Sequence, residues 1–164
     1  MRDYHRVILT ALAVSAASLS IVPAEAQGLV TAPRISAALA NEAVGAAVAS
    51  CAAQGYNETA VLVDADGVTQ ASLRGDNTGI HTLDSAHDKA YTAVSFKRDT
   101  ITMAPGETDV LMARLPHLLR AGGGVVIKSG TVVVGAIGAS GAPGYQLDDA
   151  CAKAGIQKII DRMK

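Results

Sequence analysis

"GAIGASGAPGYQLDDACAKAGI" (residues 135–156) runs from an apolar stretch through Ser-Gly-Ala-Pro-Gly into a segment of helical spacing with two adjacent acids, Asp148 and Asp149. A glycine-rich turn feeding a helix N-terminus can offer backbone N–H groups and a positive dipole end to a phosphate. The same turn can instead do no more than reverse a buried strand into a helix. The surrounding residues favour the second reading. No Lys-Ser/Thr pair completes a P-loop, and no Gly-x-Gly-x-x-Gly lies in a strand–helix–strand unit. Asp148 and Asp149 fall in the first helical turn, where they complement the dipole and would repel a phosphate. Pro143-Gly144 suits the second and third positions of a tight turn. Residues 145–163 then read as the last helix, with Leu147, Cys151, Ala154, Ile156, Ile159, Ile160 and Met163 turned toward a core.

Upstream of this stretch, "GGVVIKSGTVVVGAI" reads as a strand, a Ser129-Gly130 turn and a long apolar strand. "ETAVLVDADGVTQASLRGD" (58–76) predicts a second hairpin, with Asp64–Gly67 supplying the turn. Residues 33–53 predict an alanine-rich helix that has Pro33 in its first turn and is ended by Gln54-Gly55. Residues 83–98 predict another. Thr82 or Ser85 could cap it, and Ser85 with Asp88 has capping-box spacing. A short helix is expected over 108–114, stopped by Pro116. Two hairpins set among helices predict an α/β (α+β) layered domain around a largely antiparallel sheet of four to five strands.

The 164 residues suffice for one domain. Residues 1–26 are expected to be a secretory signal. Arg2 and Arg6 form the positive flank, Val7–Val22 is apolar or small, and "AEAQ" places cleavage after Ala26. The chain from 27 to 164 would then be a single periplasmic or secreted domain. A net charge of −1 and an aromatic content of 3% argue against nucleic acid as a partner. No other apolar run approaches a membrane span. Cys51 and Cys151 could join in an oxidising compartment or stand as buried thiols; the sequence leaves both open.

Candidate chemistry is sparse. His-Glu-x-x-His, Cys-x-x-Cys and calcium-loop patterns are all missing from the sequence, so no dedicated metal cage is expected. His81 precedes the second predicted helix and is the histidine freest to project as a metal ligand. Arg74 lies close by in sequence and could receive a carboxylate. His87 and Tyr91, four apart, share a helical face. Lys89 could offer a cation to a propionate or phosphate, although a lysine on a helix is more commonly a solvated one. Met103 is a possible soft ligand. Ser140 in "GASGA" lacks the final glycine of Gly-x-Ser-x-Gly and has no downstream histidine, which argues against a serine hydrolase.

Taken in order, "LRGDNTGIHTLDSAHDKAYTAVSF" and "AGGGVVIKSGTVVVGAIGASGAPGYQLDDACAKAGI" closely resemble the HbpS/GlcG-like family, which is related to the C-terminal domain of PduO-type corrinoid adenosyltransferases. The resemblance spans nearly the whole chain after the signal. It implies a profilin-like sheet flanked by helices, assembly into homo-oligomers, often octamers, and haem as cofactor. It also implies an exported protein for haem capture or sensing. A haem-degrading or small-molecule enzyme is the alternative, and a non-catalytic oligomeric accessory module is a third. On this reading His81 would ligate the iron, with Arg74, Lys89 and Tyr91 as further cofactor contacts.

Overall fold

A computed structural model describes residues 28–103 and 114–163. The predicted signal segment lies outside the described residues. So does all of the predicted 108–114 helix except Arg114. Ala32–Lys164 forms one compact unit.

The first helix, α1, spans Ala37–Ala52. It starts later than the sequence predicts, because Ser36 and not Pro33 makes the entry: Ser36 Oγ accepts from Leu39 N at 3.3 Å. Strands β1 (Thr59–Asp64) and β2 (Thr69–Arg74) form the first hairpin. Asp64 builds the turn, accepting from Asp66 N and Val68 N through Oδ1, while Gly67 takes the left-handed conformation at φ +81°. Helix α2 spans His81–Phe96. Neither Thr82 nor Ser85 caps it. Thr82 instead turns its hydroxyl to Gly79 O and Thr59 Oγ1, both at 2.7 Å, and Ser85 Oγ meets Ser140 Oγ at 2.7 Å.

Strands β3 (Gly124–Ser129) and β4 (Val132–Ser140) form the second hairpin, followed by α3 (Tyr145–Ile159) and a 3-10 turn at Ile160–Arg162. The four strands make one antiparallel sheet in the order β2-β1-β4-β3. β4 is central and is buried from Val134 to Ser140, which accounts for its unbroken apolar sequence.

The sheet separates two cores. On one face α1 and α3 cover Ala60, Leu62, Ile127 and Ile137. On the other, α2 lays Ala86, Ala90 and Ala93 against Val61, Val63 and Ala136. The second contact is a close one, since a Cβ on Gly138 would come within 1.8 Å of Ala86 O. A disulfide joins Cys51 of α1 to Cys151 of α3, with Cα atoms 5.7 Å apart, and settles the choice between bond and thiols. The inward face of α3 differs from the predicted one. Asp148, Asp149, Cys151, Ala152, Gly155 and Ile159 are buried, because α3 approaches α1 through small residues and turns its acids inward.

Candidate functional site

Helix α2 carries three of the four predicted cofactor residues, and its rise of 1.5 Å per residue spreads them out. Lys89 lies about 12 Å and Tyr91 about 15 Å along the axis from His81. They do not form one site.

His81 opens α2 and is exposed, with no hydrogen bond to its ring among the described residues. Its imidazole folds over Gly79, where a Cβ would stand 2.7 Å from Cε1. Arg74 is brought to the same end. Thr59 pairs across the sheet with Arg74, and the Thr59 hydroxyl bonds that of Thr82, the neighbour of His81. Arg74 donates through Nη2 to Thr78 O, clasping the loop that leads into His81. Ile80, the residue before His81, is 73% exposed. Arg74 also lines a cleft of about 460 Å³ with Tyr56, Glu58, Leu73 and Asp76. A short loop joins the end of β2, which bears Arg74, to the start of α2, which bears His81.

Lys89 is occupied elsewhere. It is 4% exposed, and Nζ donates to Asp148 Oδ2 at 2.6 Å and to Ala139 O at 3.0 Å. The expectation of a solvated lysine, or of one offered to a propionate, is corrected by this burial: an incoming propionate would have to displace Asp148. Sequence spacing could not anticipate the pair, because 59 residues separate the partners. Glu58 completes the buried group. Ala142 N donates both to Glu58 Oε2 and to Asp148 Oδ1, each at 3.0 Å. Burial, and next the charge of Asp148, push the Glu58 carboxyl up to about 8. The loop amide of Ala142 is thus spent on the chain's own carboxylates, as a structural turn requires.

Tyr91 belongs to a third place. With His87 it faces His117, which arrives from the segment before β3; ring centroids are 5.2–6.0 Å apart. Thr92, fully buried, holds that segment down by donating to Asp88 O at 2.6 Å and accepting from Leu119 N at 2.8 Å. Nothing in the sequence links His117 to the 87–91 face.

Two further candidates are buried. Ser140 is bonded to Ser85, and Met103 is 8% exposed. None of the described helices is long and apolar enough to cross a membrane.

Comparisons with known proteins bear on this arrangement. A double mutant of Streptomyces reticuli HbpS is similar over 83% of this chain and 94% of its own, at 32% identity and a TM-score of 0.75. The Klebsiella pneumoniae protein ORFY shares the fold at 20% identity and a TM-score of 0.71, over 80% of this chain and 94% of its own. A PduOC–haem complex does so at 21% and 0.69, over 77% and 96%. No curated protein matches the sequence. The profile of the family described as haem-degrading protein HbpS-like matches residues 35–157, and the chain belongs to that family.

Proposed function

We propose that the chain is an exported protein that assembles into a homo-oligomer and binds haem for capture or sensing. One observation carries this reading. In a chain of the HbpS-like family, His81 is exposed and its ring has no hydrogen bond among the described residues, and it opens the helix reached by a short loop from Arg74 and preceded by the exposed Ile80. An imidazole nitrogen suits haem iron as an axial ligand. A guanidinium suits a propionate. Apolar side chains suit the porphyrin faces. Arg74 spends one of its five N–H donors on Thr78 O, which leaves a fork for a carboxylate. The place is a surface, so a second subunit would close it. Exposed Leu73, Ile80 and Tyr145 provide apolar area for such contacts. Export is supported by the Cys51–Cys151 disulfide, a bond that persists in oxidising compartments. A structural neighbour was solved with haem.

Titration of the purified protein with hemin tests the reading. The expected result is a saturable Soret shift that His81→Ala weakens by at least about tenfold, the effect of losing an interaction worth 1.4 kcal/mol. An unchanged shift in that variant would remove His81 as ligand, and no shift at all would remove haem. The description of the family favours one second reading, haem degradation. Under a reductant, Soret loss that catalase fails to suppress would support turnover over simple binding.

A further inference from the structure

We infer that His87, Asp88 and His117 form a binding site for one divalent transition-metal ion, separate from the haem surface at His81. Nδ1 of His87 and Nδ1 of His117 both lie 3.0 Å from the same oxygen, Asp88 Oδ1. The three donor atoms, one from each residue, lie within 4.8 Å of one another. Ligand atoms about 2.0–2.1 Å from a shared ion stand roughly 3.3 Å apart at a tetrahedral angle and roughly 2.9 Å apart at a right angle. The two nitrogen–oxygen separations already fall within that span. An ion bound there would replace the ring–carboxylate hydrogen bonds and displace the protons that make them.

The surroundings hold the donors in place. His87 and Asp88 are half-buried on α2, while Thr92 pins the segment bearing His117 to the same helix. His117 itself has φ +65°, a left-handed conformation uncommon for a residue with a side chain. The Tyr91 ring closes one side, 6.0 Å from His87 and 5.8 Å from His117 between centroids. The His117 side chain is 57% exposed, leaving an entry path and room for water or another ligand on the ion. Two imidazoles and one carboxylate select zinc or ferrous iron over magnesium or calcium, which prefer all-oxygen shells.

The test is a calorimetric titration of Zn(II) into the protein purified without a histidine tag and stripped with chelator. One equivalent should bind per chain, and equimolar Mg(II) should not displace it. His87→Ala and His117→Ala should each weaken binding by about 100-fold. Circular dichroism confirms that each variant is folded. Asp88→Asn, which keeps the side-chain volume, provides a second variant should an alanine change unfold the chain. The chain has no tryptophan, so tyrosine emission is readable, and Co(II) should quench it in the parent but much less in Tyr91→Phe. Absence of saturable Zn(II) binding overturns the site, as does binding that persists in a folded His87→Ala/His117→Ala double variant.

Discussion

At the scale of single residues, Glu58 is the group with the largest consequence. It is 1% exposed, Oε1 has no hydrogen-bond partner among the described residues, and Oε2 lies 3.3 Å from Cys51 Sγ. Burial, then the Asp148 charge, raise its carboxyl from 4.5 to about 8, against the opposing pull of the Ala142 amide and Lys89. The sign follows from proton counting. Between about pH 4.5 and 8 the folded chain keeps a proton that the unfolded chain releases. Raising the pH through that window therefore favours unfolding, by roughly 1 kcal/mol per pH unit, and the effect levels off above it. Chemical denaturation from pH 5 to 8.5 should show this decline, and Glu58→Gln should flatten it. Parallel pH dependences in the two proteins would show that the carboxyl ionises freely in the fold. Little of this group was legible in the sequence. A lysine and two acids drawn from three separate elements carry no spacing signal, and the usual location of each type is the surface.

At the scale of elements, glycines and alanines set how closely the layers meet. Gly138 in β4 has no room for a side chain, because the Ala86 carbonyl and the Ala90 amide of α2 occupy it and neither can rotate away. Gly45 in α1 faces nothing within 4 Å. The two positions should respond oppositely to the same change. Gly45→Ala should stabilise the protein by about 0.8–1 kcal/mol through helix propensity. Gly138→Ala should cost about 1–3 kcal/mol or more, since α2 must lift from the sheet. Thermal melts of the pair check this; equal shifts would mean that α2 does not rest on β4 as described. Both hairpins were legible, because Asp64–Gly67 and Ser129-Gly130 announce their turns locally. The start of α2 was not, because Thr82 and Ser85 have tertiary partners that outcompete capping. The placement of His117 opposite Asp88 was not, since it depends on Thr92 clamping a segment that is distant in sequence.

At the scale of the whole molecule, one covalent bond ties the first helix to the last. α1 and α3 meet through Ala43, Ala47 and Gly155, a contact with little apolar area per residue. Small side chains allow close approach but bury few methylenes, so this pair gains less from the hydrophobic effect than a leucine-rich pair would. The Cys51–Cys151 bond compensates by restricting the unfolded chain, closing a loop with a sequence separation of 100. For a loop of that size the chain-entropy model gives about 4.7 kcal/mol. At roughly 2–4 °C per kcal/mol for a chain of this order, reduction should lower the melting temperature by about 10 °C or more. Melting with and without a membrane-permeant thiol reductant measures it, and Cys51→Ser/Cys151→Ser should melt near the reduced protein. A melting temperature indifferent to reduction would mean that packing of α1 on α3 is sufficient alone.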